Sequence, residues 1–130
     1  MKKAILITHG PIGDAMIEAV DNIIGMVDNL FALTVTNMSV TEITQRLLSI
    51  VDAPDCESDG LIIMASLKGG SCWNVAAAIA KDYPCVRVLS GLNLPMVLSF
   101  VTKREDYSID ELVDILETEA KAGVTQFMKK

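Results

Sequence analysis

Apolar residues recur along the chain in two rhythms. The continuous apolar runs at Lys3–Thr8 and Leu61–Ala65 predict short buried strands, the first covered on both faces as in a parallel sheet, and Leu30–Val35 and Val86–Leu89 read as two further strands. Between them the spacing changes to three and four. Ile12, Ala15, Met16, Ala19, Val20 and Ile23 predict a helix that starts at Pro11, ends near Gly25 and lays that face on the sheet. Ser39 to Glu42 reads as a capping box opening a helix that carries Val40, Ile43, Leu47, Ile50 and Val51. Pro54 to Gly60 is a polar loop, Val75 to Ala80 an alanine-rich helix, and Met96 to Lys103 a further helix. A second capping box, Ser108 to Glu111, opens the last helix with Ile109, Leu112, Val113, Leu116 and Ala120 inward.

Strands and helices therefore alternate, with short linkers and no internal repeat. This predicts one α/β domain over residues 1–130: a doubly wound, mainly parallel sheet of four to five strands flanked by helices, in the flavodoxin-like three-layer arrangement. A length of 130 residues suffices for a core without metals or disulfides.

Composition excludes some function classes. Eleven basic against seventeen acidic residues give a formal charge of −6, the wrong sign for holding a phosphate backbone, so no nucleic-acid partner is expected. No apolar run reaches the ~20 residues of a membrane span, and the opening residues meet Thr8 and His9 too early for a secretory signal. A cytoplasmic protein without membrane insertion is the expectation. Cys56, Cys72 and Cys85 are odd in number and widely spaced, which predicts free thiols in a reducing compartment, each a small buried hydrophobe.

The chemistry collects at one rim. In a parallel sheet the loops that follow strands share one edge, which gathers His9, the segment Ser66 to Ser71, and the segment Ser90 to Asn93. His9 is the only histidine, delivered from an apolar run straight into a turn containing Gly10, Pro11 and Gly13. Asp14, at the positive end of the first helix, reads either as a charge favoured by the helix dipole or as a neighbour of His9. Lys68, Gly69, Gly70 and Ser71 offer a cation, unhindered backbone N–H groups, a hydroxyl and a positive helix end, suited to a phosphoryl group. Cys56 and Cys85 precede strands and fall on the far rim, so His9 has at most Cys72 as a metal-ligating neighbour, and no metal is expected. An imidazole facing an anion cradle can act as general base, substrate binder or phosphoryl-carrying nucleophile. With no serine elbow and no acidic Mg²⁺ cluster, the nucleophile is favoured.

Four blocks, Ile5 to Gly10, Asp59 to Ile63, Gly69 to Ser71 with Asn74, and Ser90 to Met96, together resemble the IIA domain of the mannose and fructose type in the bacterial phosphoenolpyruvate-dependent sugar phosphotransferase system (PTS). The resemblance covers nearly the whole chain. It implies a homodimer, often with a C-terminal element exchanged between subunits, and no cofactor. It also implies that His9 takes a phosphoryl group from the phosphocarrier HPr and passes it to a IIB component, that Ser71 and its neighbouring amides hold the phosphate, and that Asn93 to Pro95 shape the rim.

The departures fall beside His9. Where the family commonly has aspartate, phenylalanine and proline, this chain has Ser66, Lys68 and Cys72. An aspartate there fixes the imidazole tautomer and offsets the charge that appears on phosphorylation. A serine hydroxyl gives a neutral contact worth ~1 kcal/mol instead of roughly 1.5–3. Lys68 reads as an aid to an incoming phosphoryl group or as a solvated loop lysine, and Trp73 as an interface anchor or a packing residue. Two rival readings stand beside the phosphocarrier. One is a regulatory IIA-like module in which Ser66 impairs phosphotransfer; the other is a small-ligand enzyme of flavodoxin-like architecture using His9 as a base.

Overall fold

The computed structural model describes residues 1–52 and 59–128. Four parallel strands, β1 (Lys3–His9), β2 (Leu30–Val35), β3 (Leu61–Ala65) and β4 (Val86–Leu89), are ordered β2-β1-β3-β4. Five helices are described: α1 (Ile12–Ile24), α2 (Val40–Val51), α3 (Ser71–Asp82), α4 (Leu94–Lys103) and α5 (Ile109–Ala122). The register sets Ile5 opposite Phe31 on one side and Ile63 on the other, so β1 and β3 are central and β2 and β4 are edges.

Strand alternation divides the core into two layers. Ile5, Ile7, Ile63 and Ala65 face α2 and α3, packing with Ile43, Leu47, Val75 and Ile79. Ala4, Leu6, Ile62 and Met64 face the opposite layer, with Val20, Val97, Phe100, Leu112 and Leu116 from α1, α4 and α5. Each fully buried aliphatic side chain contributes roughly 1.5–3 kcal/mol of hydrophobic stabilisation. Burial of both faces is the reason the central strands β1 and β3 carry no polar alternation, whereas the edge strands leave Phe31 exposed on β2 and only Val86 buried on β4.

The predicted face of α1 needs correction. Ile12 and Ile23 are half-exposed and Ala15 lies at the surface, whereas Gly13 and Val20 are buried and Met16, Ile17 and Ile24 pack on the core. Gly13 sets this rotation: a Cβ there would lie 3.1 Å from the Leu6 carbonyl oxygen, so the helix can come this close to β1 only with hydrogen at that position. On α2, Val40 is likewise exposed while Ile43, Leu47 and Val51 are buried.

The capping boxes differ. At α5 both arms form: the Ser108 hydroxyl accepts from the Glu111 N–H, and the Glu111 carboxylate accepts from the Ser108 N–H. At α2 the Ser39 hydroxyl accepts from the Glu42 N–H, but the carboxylate takes the Ser39 hydroxyl proton instead of the backbone one.

The cysteines also depart from the expectation. Cys72 is free and buried, but Cys85 is disulfide-bonded, which corrects the reading of free thiols; separation along a sequence says nothing about distance in the fold. Cys56 and residues 54–58 of the loop expected over 54–60 lie outside the described residues, and Asp59 and Gly60 lead into β3. No described helix is long and apolar enough to cross a membrane.

Candidate functional site

The central pair β1 and β3 is where the strand order reverses, and in open α/β sheets the crevice beyond the carboxyl ends of such a pair is the preferred ligand position. His9 ends β1 there and is exposed. By alternation its side chain falls on the α2/α3 face with Ile5 and Ile7, toward the start of α3. The meeting is close: Nε2 of His9 lies 3.7 Å from Cys72 Sγ, and a Cβ on Gly70 would sit 3.8 Å from the same nitrogen.

Thr8 holds the turn from behind. It is fully buried, its hydroxyl donates to the Gly10 carbonyl at 2.9 Å and accepts from the Gly13 N–H at 3.2 Å. Both groups of the turn are thus satisfied by one side chain, which fixes the backbone from which His9 projects. In the sequence Thr8 is marked only as a polar residue closing an aliphatic run.

The turn before α3 is shaped to present amides. Gly69 has φ +86°, in the left-handed region that a Cβ disfavours, and Gly70 is the extended N-cap residue with no side-chain cap. The first intrahelical bond runs from the Asn74 N–H to the Gly70 carbonyl at 2.9 Å, so the amides of Ser71, Cys72 and Trp73 precede the ladder. Together with the helix dipole they form an anion-attracting surface beside His9. Burial pushes the Cys72 thiol above its ordinary range, partly offset by a backbone hydrogen bond, so it carries its proton at neutral pH.

The remaining sequence-predicted residues are distributed around this pair. The Ser66 N–H continues the ladder to the Ile7 carbonyl at 3.3 Å, and among the described residues no hydrogen bond joins its hydroxyl to the imidazole. A serine ends one atom short of where a carboxylate would present its oxygens. Lys68 is exposed and lines, with Trp73, Ser90, Asn93 and Lys121, a neighbouring cleft of about 510 Å³. Trp73 also packs on the core beneath α3, so it is both wall and packing residue. Ser71 faces a smaller apolar hollow with Val40, Thr44 and Val75. Asn93 caps α4 by accepting from the Met96 N–H at 2.9 Å and donates to the Ala120 carbonyl at 3.0 Å; Pro95 lies in the first turn of α4. Asp14 accepts from the Thr34 hydroxyl at 2.9 Å and has no bond to His9. Among the described residues no group of three or more His, Cys, Asp or Glu is placed to hold a metal ion.

Comparison with known proteins gives the same frame. Residues 3–117 match the family model EIIA-man, described as the PTS system fructose IIA component. The chain belongs to the mannose-type PTS IIA family. It is similar to the PTS system sorbose-specific EIIA component of Klebsiella pneumoniae, 33% identical over 117 residues, spanning 90% of this chain and 85% of that one. Among solved structures it resembles the phosphotransferase system component EIIA from Streptococcus agalactiae, with a TM-score of 0.87 and 27% identity over 98% of each chain. It also resembles the mannose/sorbose specific IIA subunit from Enterococcus faecalis, with a TM-score of 0.86 and 26% identity over 100% of this chain and 98% of that one. Among the described residues the imidazole has a sulfur neighbour and no carboxylate hydrogen-bonded to it.

Proposed function

We propose that the protein is a phosphocarrier of a mannose/sorbose-type PTS, acting in the cytoplasm, in which His9 accepts a phosphoryl group from HPr and passes it to a IIB component. The observation that carries this reading is the exposed His9 ring against the uncapped amino end of α3. Nε2 attacks the phosphorus of the donor phosphohistidine; the donor P–N bond breaks, its electron pair returns to the donor ring, and an Nε2–P bond forms. The amides of Ser71, Cys72 and Trp73 receive the phosphoryl oxygens, with Lys68 nearby as a cation. Transfer to IIB is the same exchange in reverse, and the sugar never meets this chain. Incubation with phosphoenolpyruvate, enzyme I and HPr should yield an acid-labile phosphoryl adduct by intact-mass spectrometry that disappears in His9→Ala. An adduct that survives this substitution refutes the assignment.

The second reading is a regulatory module with slow transfer, favoured by the missing hydrogen bond between Ser66 and the ring. Under it, Ser66→Asp raises the rate of phosphorylation by HPr about tenfold or more, the order expected when a charge-assisted bond is restored. An unchanged rate counts against impairment at Ser66.

The family likeness also motivates a homodimer. Val124, Phe127 and Met128 follow α5 and are 80%, 95% and 80% exposed, and among the described residues β4 pairs on one edge only. Apolar tails and free strand edges are covered by association. Sedimentation should give a dimer that weakens on removing residues 124–130; a monomeric full chain refutes it.

A further inference from the structure

We propose that Cys72 is a positioning residue for His9: its thiol donates a hydrogen bond to Nε2, so the ring proton resides on Nδ1 and Nε2 keeps the lone pair that receives the phosphoryl group. This rests on the reading of His9 as acceptor.

The contact is built by two rigid elements. His9 is the last residue of β1 and Cys72 lies in the first turn of α3, and both sit on the same face of the sheet, where Cys72 is 1% exposed. At 3.7 Å the sulfur is within reach of Nε2, since sulfur bonds are longer than those of oxygen. Two arrangements are open to the pair. With the proton on Nε2, the ring N–H donates to sulfur, a weak acceptor, and the buried S–H has no acceptor at the ring. With the proton on Nδ1, the S–H is satisfied by Nε2 and the Nδ1–H is hydrated, because His9 is exposed. The second arrangement leaves no buried donor unmade.

A thiol suits the task because it is a weak donor. It biases the tautomer, yet its release from Nε2 during transfer costs little, whereas a strong donor would hold the nucleophilic lone pair in place. When the donor P–N bond breaks and the Nε2–P bond forms, the thiol keeps its proton and turns it toward a phosphoryl oxygen. The ring keeps its proton on Nδ1 and becomes positively charged. Ser66, with no bond to the ring, leaves this tautomer selection to Cys72.

The test is nitrogen-15 NMR of the labelled full chain at a pH above the ring titration, reading the His9 tautomer from long-range proton correlations. The wild type should be mainly protonated on Nδ1. Cys72→Ala should move the proton to Nε2 and lower kcat for phosphorylation by HPr about fivefold with KM unchanged, as loss of a neutral hydrogen bond implies. Cys72→Ser, whose hydroxyl also donates, should keep the wild-type tautomer. A wild-type ring protonated on Nε2, or an unchanged tautomer in Cys72→Ala, overturns the inference; the wild-type spectrum decides alone if the alanine variant does not fold. Failure of the phosphocarrier reading looks different: no adduct forms on the wild type, although the tautomer still shifts in Cys72→Ala.

Discussion

The buried Thr8 hydroxyl accepts the Gly13 N–H at 3.2 Å, tying the end of β1 to the first turn of α1 across the residue that carries the imidazole. Thr8→Val keeps the shape and removes this bond together with the one to the Gly10 carbonyl. The variant should lose about 1–3 kcal/mol of stability, because the Gly13 N–H is left unpaired in the interior and the part-buried Gly10 carbonyl loses its donor. Urea unfolding measures that loss, and the His9 ring should show broadened NMR signals as the turn loosens; an unaltered midpoint counts against the role given to Thr8.

Gly69 and Gly70 should respond differently to alanine. At Gly70 the backbone has φ −81°, which alanine adopts freely, so Gly70→Ala should fold with stability changed by less than about 1 kcal/mol. Its methyl group would stand 3.8 Å from Nε2 in the space meant for phosphoryl oxygens, and phosphorylation should fall at least about tenfold. Gly69→Ala meets no neighbouring atom but takes a left-handed conformation, so it should lower stability by roughly 1–2 kcal/mol. Thermal melts and adduct rates on both variants separate the two effects.

Glu119 joins α5 to α4, accepting hydrogen bonds from Lys103 and Ser99. The Lys103 bond, then the Ser99 bond, hold its carboxyl below the ordinary glutamate range. A folded-state value lowered in this way stabilises the fold above the unfolded value, and that stabilisation disappears as pH falls through the folded one. Stability should therefore decline on acidification below the usual glutamate range, and Glu119→Gln should flatten that part of the profile. Denaturant midpoints across the acid range provide the measurement; parallel profiles for the two proteins would refute it.

The unequal capping boxes predict unequal costs. Glu111→Ala leaves the Ser108 N–H without its carboxylate acceptor and should cost about 0.5–1 kcal/mol, whereas Glu42→Ala takes no partner from a backbone N–H and should cost less than about 0.5. Equal shifts in unfolding midpoint would mean that the second arm contributes nothing.

The centre of the sheet was legible because strands covered on both faces need uninterrupted apolar residues, and the run at Leu61–Ala65 has no competing explanation. The meeting of His9 with the twin-glycine turn was legible too, since parallel strands put the loops that follow them on one rim. The rotation of α1 was not, because the residue that sets it, Gly13, contributes nothing to an apolar count and acts through what it lacks. The shared Ser39 and Ser108 pattern hid a difference that depends on carboxylate rotamers. Cys72 was read as a small hydrophobe, and its burial agrees; its second character, as the neighbour of Nε2, comes from a contact across 63 residues that spacing cannot reveal.

All four strands run the same way and the helices return against them, so the amino ends of α1, α3 and α4 converge on the His9 pole of a chain whose net charge is −6. Bulk repulsion and local attraction then act over different ranges. A free anion in solution meets the repulsive field first, and the helix ends draw it in only within a turn or so of their own length. A phosphoryl group carried on a docked protein surface crosses that outer field already bound, inside the roughly 8 Å over which physiological salt screens charge. For the proposed phosphocarrier this arrangement would discourage scavenging of loose phosphate and favour delivery by contact.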